Sequence, residues 1–150
     1  MAKDRSKKKV RSRKENTREE RKIIENRELM TFSFKDLDQT QPNGKCETLT
    51  LWQEKGLLPL LFRRLTEISQ LTRDEACNKQ NQIKIYPGGF PDDKKTDFVV
   101  PPHLDKNLAW GVIEGLGGLP RVAGYLSENT FYIVFLDSRH RFWISEKKHT

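Results

Sequence analysis

The sequence predicts an α+β protein in which a twisted antiparallel sheet of about four strands is covered on one face by a helical pair. Three observations lead to this fold class. Apolar residues across 57–71 recur with the period of an amphipathic helix. Residues 108–144 form short apolar or alternating runs separated by turn residues, which is typical of a meander of strands. A small sheet of this kind also needs a helical layer to bury one face.

The chain length favours one folded domain at 31–150, preceded by a basic tail at 1–14 and a leader helix at 15–30. The tail holds eight of the 28 Lys and Arg residues and one of the 21 Asp and Glu residues, so 20 of each sign remain in the rest. The tail therefore accounts for the whole net charge of +7. It has too few apolar residues to offset the entropy of ordering, and we expect it to be disordered.

Two functions fit the basic tail best: it keeps the protein soluble, or it contacts a polyanion without sequence preference, with RNA or the ribosome as partner. Binding to a membrane surface is a further alternative, but it would normally need a second anchor, and no membrane partner is expected. In the second case the nucleic-acid-binding residues of the tail are Lys7, Lys8, Lys9, Arg11, Arg13 and Lys14. In the leader helix, Thr17 and Glu20 have the spacing of a capping box. This helix is mostly polar, so it is either an exposed leader or docks on the body or on a partner.

The first part of the body predicts one strand and two helices. Residues 30–37 alternate, with Phe32 and Phe34 on one face, and residues 39–47 are rich in turn formers. The helix at 57–71 has Pro59 in its first turn, where a missing N–H costs little. A second short helix begins at Thr72, because Thr72 and Glu75 repeat the capping-box spacing.

The second part predicts strands. Residues 82–86 form a short one, and the rest of 77–107 is a Pro- and Gly-rich loop region. Further strands are expected at 108–114, 121–126, 130–136 and 141–144. The third of these is the most apolar and is predicted to be central in the sheet.

Composition and motifs exclude several classes. No run approaches the roughly 18 apolar residues of a spanning helix, and the basic N-terminus lacks the apolar stretch of a signal peptide. Cys46 and Cys77 lack zinc-ligand spacing and are interpreted as small buried thiols, reduced in the cytoplasm. No phosphate-binding loop, dinucleotide fingerprint or hydrolase motif is present, so we expect neither a cofactor nor a metal site.

Polar residues gather at one predicted edge of the sheet. In an antiparallel meander the start of one strand lies beside the end of its neighbour, which brings together Glu114, Arg121, Asp137, Arg139, His140 and Arg141. Such a set can cleave RNA without a metal, since a carboxylate or a neutral His takes the 2′-OH proton and arginines stabilise the phosphorane. The alternative is a charged hairpin turn in which Asp137 pairs with Arg139 or Arg141.

The segment at 121–143 resembles the C-terminal hairpin and last strand of the RelE/YoeB-like ribonuclease toxins, with an Arg strand, an apolar strand and a basic segment that ends in an aromatic residue. FSF at 32–34 and DSRH at 137–140 also resemble a group of small phage and bacterial proteins of unknown function. The toxin resemblance implies that Arg121 binds phosphate, His140 or Arg141 acts as acid or charge stabiliser, and Glu114 can be the base. Trp143 then falls where the toxins have a catalytic or stacking aromatic.

The sequence thus leads to three hypotheses, the third of which is a nuclease fold that has lost its activity and acts only as an interaction module. The first is a metal-independent endoribonuclease of toxin type that acts on mRNA, with the catalytic residues Arg121, His140, Arg141, Glu114 and Asp137 and a possible protein inhibitor (antitoxin) as partner. The second is a non-catalytic accessory protein of phage or mobile-element origin that binds nucleic acid or protein. Where the protein binds nucleic acid, Arg139 and Trp143 are predicted to join the tail residues.

Overall fold

The computed structural model describes residues 28–145 and, before them, residue 18. The predicted basic tail and nearly all of the leader helix, including its capping box, therefore lie outside the described residues. In chain order the elements are β1 (Thr31–Ser33), α1 (Leu49–Glu54), α2 (Leu58–Ile68), a π-helical turn (Glu75–Lys79), β2 (Ile83–Ile85), a 3-10 turn (Asp93–Lys95), β3 (Ala109–Ile113), β4 (Arg121–Ser127) and β5 (Thr130–Asp137).

The mixed α+β class is confirmed, but the sheet has five strands rather than about four. Their spatial order is β1-β5-β4-β3-β2. β3, β4 and β5 form the expected antiparallel meander, and β2 extends it by pairing antiparallel with β3. β1 instead joins β5 in parallel, with Thr31 opposite Thr130. β5 is internal, as its apolar sequence indicates, but β4 occupies the middle. The sequence missed the parallel pair because strand direction depends on the return path of the chain.

The leucine-rich helix is confirmed as α2, with proline in its first turn and Leu61, Leu65 and Ile68 buried. The helical pair was only partly right, because the other helix on the sheet is α1, which the sequence did not predict. Thr48 caps α1 by accepting a hydrogen bond from the Leu51 N–H. The predicted second helix is a five-residue π-helical turn that follows the expected capping box.

Each face of the sheet has its own core. The helical face packs against α1 and α2 and is mostly aliphatic, with Leu61, Leu65, Ile133 and Leu136 among its buried residues. The opposite face, here called the loop face, is covered by the irregular chain between 86 and 108 and by Phe142. The sequence predicted a cover on one face only, since the loop region has no periodic pattern.

Two further expectations were wrong. Residues 141–144 do not form a strand. The chain bends after β5, and this segment makes only isolated backbone hydrogen bonds with residues 95 and 97. Cys46 is exposed, and Cys77 is only partly buried where it packs against the helical-face core, so neither is a fully buried thiol. Within the described part of the chain, the helices are all too short and too polar to cross a membrane.

Candidate functional site

Three of the predicted catalytic residues do meet at one edge of the sheet. Arg121 and Asp137 are directly paired at the ends of β4 and β5. The Glu114 carboxylate, just beyond β3, lies 3.7 Å from Nε of Arg121. The meander thus places these residues together as strand direction predicts. Proximity alone does not leave the groups free for chemistry, however.

The Arg121 guanidinium is engaged by the backbone of the turn that precedes its own strand. One terminal nitrogen donates to the carbonyls of Gly118, Leu119 and Pro120. Its side chain is only 15% exposed, and the buried Nε has no hydrogen-bond partner among the described residues. Arg121 therefore stabilises a glycine-rich turn and presents little of its charge to a phosphate.

The Asp137 carboxylate is fully buried and organises the turn that follows β5. Its oxygens accept the backbone N–H groups of Arg141 at 2.9 Å and Phe142 at 2.8 Å. Burial raises the pKa of Asp137, while these N–H donors act in the opposite direction. The carboxylate binds backbone amides, rather than the side chain of Arg139 or Arg141 that the charged-turn alternative named.

His140 is in the same turn, in the left-handed backbone region with a φ of 59°. Its ring is partly exposed and makes no hydrogen bond to any described residue. Nothing among the described residues orients it as a general acid or base. Arg141 is held differently, because its Nε donates to Asp97 Oδ2 at 2.6 Å and this bond raises the pKa of Arg141.

A polar cleft of about 630 Å³ opens beside this turn, and sequence analysis did not predict it. Three separate segments build it: the turn after β1, the chain that follows the 3-10 turn, and the turn after β5. Its lining consists of Pro42, Asn43, Gly44, Lys45, Glu47, Asp97, Arg139 and Arg141. Of the predicted cluster, Arg139 and Arg141 are part of this lining, whereas Glu114, Arg121, Asp137 and His140 are not, so the cleft adjoins the predicted catalytic site and overlaps it only in part.

Glu47 is the residue that fixes the cleft wall. It is 3% exposed, and its Oε1 accepts the indole N–H of Trp52 at 3.0 Å. Its Oε2 accepts both the N–H and the hydroxyl of Ser138 at 2.9 Å, and Lys55 donates to that hydroxyl at 3.1 Å. The network joins the 42–47 turn, α1 and the end of β5. No sequence pattern could reveal it, because its members are up to 91 positions apart.

The charges in the cleft are unevenly compensated. Asp97 is paired with Arg141, and Glu47 is saturated by neutral donors. The Lys45 and Arg139 side chains make neither an ion pair nor a hydrogen bond within the described part of the chain, and both residues are exposed. The lining carries three cations and two carboxylates, a net charge of +1, and the exposed cations are the unpaired Lys45 and Arg139 while the Glu47 carboxylate is buried, which suits an anionic ligand.

Tyr86 is a second residue that sequence analysis missed. Its ring stacks on Trp143, the aromatic residue that the sequence suggested for nucleic-acid contact. Burial raises the pKa of Tyr86 to about 12, and the nearby Glu114 carboxylate adds to this. The phenol is consequently protonated at neutral pH and is not a ready base.

The remaining predictions concern the basic tail and the metal site. Lys7, Lys8, Lys9, Arg11, Arg13 and Lys14 lie outside the described residues. Among residues 28–145, no group of three or more His, Cys, Asp or Glu side chains could hold a metal ion.

Comparison with known proteins gives no assignment: no family model, no curated protein and no solved structure matches this chain.

Proposed function

We propose that this protein binds RNA without cleaving it, as an accessory protein that holds the polyanion in its cleft and with its basic tail. The single observation that carries the proposal is the pair of uncompensated cations, Lys45 and Arg139, on the wall of a cleft that a buried hydrogen-bond network holds open. Phosphate contacts of this kind supply affinity by counterion release and need no catalytic group.

The engagement of the predicted catalytic residues also supports binding over cleavage. Metal-independent cleavage needs a cation on the phosphorane and an accessible base near the 2′-OH. Arg121 instead donates to three carbonyls, and Asp137 accepts two backbone N–H groups in full burial. Freeing either group would break contacts that shape the two turns at this edge.

The direct test is the binding of a fluorescent 20-nucleotide RNA to the full chain across a salt series. We expect the double variant Lys45→Ala/Arg139→Ala to weaken binding and to reduce the magnitude of the slope of log K against log salt by about 1.4, the value for two lost contacts to a single strand. The double variant Arg63→Ala/Lys106→Ala is the control, because it removes the same charge from exposed positions outside the cleft. Equal slopes for the two double variants would contradict the proposal.

The tail needs its own variant. Replacing Lys7, Lys8 and Lys9 by Ser should lower affinity and salt slope independently of the cleft, since both elements contact phosphate. If only the tail variant weakens binding, the cleft is not the RNA site.

The toxin-type ribonuclease is the second candidate, favoured by the meeting of Glu114, Arg121 and Asp137 at one sheet edge. Its test is growth after controlled bacterial expression and gel analysis of the RNA from the binding assay. Binding alone predicts intact RNA and normal growth. Cleavage and growth arrest by the parent, both abolished by His140→Ala with the fold retained, would establish the ribonuclease instead.

A further inference from the structure

A stacked pair of aromatic rings lies at the end of the loop face. The rings of Tyr86 and Trp143 have centroids 4.3 Å apart and an interplanar angle of 18°. Tyr86 is buried, whereas Trp143 is partly exposed. The other two tryptophans, Trp52 and Trp110, are fully buried, so Trp143 is the tryptophan with an indole that a ligand can reach.

A lysine ammonium group lies near each of the two rings. The Lys95 ammonium lies over the Trp143 ring, 5.6 Å from its centroid, and the Lys84 ammonium lies 5.9 Å from the centroid of Tyr86. A lysine over an indole is a flexible, solvated cover that an arriving planar group can displace. After displacement the ammonium remains close to the ring, where it can meet a phosphate.

The backbone of Trp143 runs close to the cleft because two segments of the chain lie side by side. The Asp97 N–H donates to the Arg141 carbonyl at 3.1 Å, and the Ile144 N–H donates to the Lys95 carbonyl at 2.7 Å. Asp97 and Arg141 line the cleft, whereas Lys95 and Trp143 lie two residues further along the same segments. Two residues of chain span at most about 7 Å. A ligand in the cleft can therefore reach Trp143.

We infer that Trp143 is a stacking platform for an unpaired base, so that the cleft and the indole together select single-stranded nucleic acid. This inference rests on the proposed RNA-binding function and adds to it the strandedness of the ligand. Phosphates bind Lys45 and Arg139, while the neighbouring base stacks on the indole. A base inside a duplex has both faces covered by its neighbours and cannot stack in this way. Aromatic platforms accept any base, because every base has a π-face.

The test compares three ligands with the full chain at one salt concentration: a uridine 12-mer, the same backbone with abasic sugars, and a duplex of equal length. We expect the parent to bind the uridine strand about tenfold more tightly than the abasic strand, the size of one stacked base. Trp143→Ala should bind both strands equally, and Trp143→Phe should restore much of the difference. Bound uridine should also quench tryptophan emission in the parent, and abasic sugars should not.

The abasic strand keeps the inference testable even if Trp143→Ala perturbs the fold, since it changes the ligand and leaves the protein intact. Equal affinity of the parent for the uridine and abasic strands would overturn the stacking role while the RNA-binding proposal stands. A duplex that binds as tightly as the uridine strand would overturn the strand selectivity. Binding that does not depend on Lys45 and Arg139 would refute the proposed function itself, and would be visible first in the salt series.

Discussion

The two faces of the sheet are covered by different kinds of chain. On the helical face, α2 contributes aliphatic side chains one turn apart, and their partners on the strands are also largely aliphatic. On the loop face, single aromatic side chains from separate segments of the chain pack around Phe142. Its ring contacts those of Phe90, Phe98, Trp110 and Phe135. An irregular chain can cover a sheet in this way because each aromatic side chain buries a large area.

Side-chain hydrogen bonds anchor the cover of the loop face, since an irregular backbone does not satisfy its own polar groups. Gln41 binds both the N–H and the carbonyl of Val99, at 2.6 and 2.9 Å. The Trp110 indole donates to the Asp105 carbonyl. Asp36 accepts from Tyr125 at 2.6 Å and contacts His103 at 3.1 Å. A periodic apolar pattern thus lets α2 cover the helical face, whereas the irregular cover of the loop face depends on such side-chain anchors, and the same loop chain carries part of the cleft.

The largest loss of stability is expected at the β-bulge between β4 and β5, where the two strands leave no room for an added side chain. Gly124 lies at the register shift, and a methyl group there would run into the Tyr132 carbonyl. We expect Gly124→Ala to destabilise the protein by about 3 kcal/mol or more, or to prevent folding. Gly88→Ala is the control, because open space surrounds that position. Urea unfolding measures both, and a neutral Gly124→Ala would contradict the close strand approach.

Truncating one buried side chain on each face tests whether both faces are true cores. We expect Phe142→Ala to cost about 3–5 kcal/mol and Leu61→Ala about 2–5 kcal/mol, because both side chains are fully buried. The measurement is urea unfolding followed by circular dichroism. A loss of less than about 1 kcal/mol for Phe142→Ala, as at a surface site, would mean that the loop face is only a loose cover.

Removing the charge of Asp36 tests the anchors of the loop face. Burial alone would raise the pKa of Asp36, but hydrogen bonds from Tyr125 and His103 and the charge of Lys35 outweigh it, so this pKa lies below its usual 3.8. A lowered carboxyl pKa stabilises the fold above that value, and the contribution disappears as the pH falls through the folded pKa. We expect Asp36→Asn to cost about 1.5–3 kcal/mol at pH 7.

The same variant should approach the parent in stability as the pH falls below 3.8. Unfolding free energies measured from pH 7 down to pH 3 check this, with Tyr125→Phe as the companion that removes one bond and keeps the carboxylate. A constant difference between parent and Asp36→Asn at every pH would show that packing, not charge, holds this anchor.

The smallest loss of stability is expected at the capping box that begins the π-helical turn. Thr72 and Glu75 exchange side-chain to backbone hydrogen bonds at 3.1 and 3.2 Å. We expect Thr72→Ala to cost about 1 kcal/mol by thermal unfolding. Thr50→Ala, at an exposed position inside α1, should stay within about 0.5 kcal/mol of the parent. Equal losses of stability for Thr72→Ala and Thr50→Ala would show that the capping box does not stabilise the fold.

Local patterns in the sequence alone determined α2, the β4–β5 hairpin, the Thr72 capping box and the meeting of Glu114, Arg121 and Asp137. Each depends on residues close in sequence or on the strand order of a simple meander. Only the tertiary structure decided the parallel pairing of β1, the cover of the loop face, the carbonyl contacts of Arg121 and the cleft around Glu47. The β1 pairing, the loop cover and the Glu47 network join segments tens of residues apart, whereas the Arg121 contacts are local but depend on how its turn is folded. Burial and hydrogen-bond satisfaction at these places depend on how the whole chain packs, which no local period encodes.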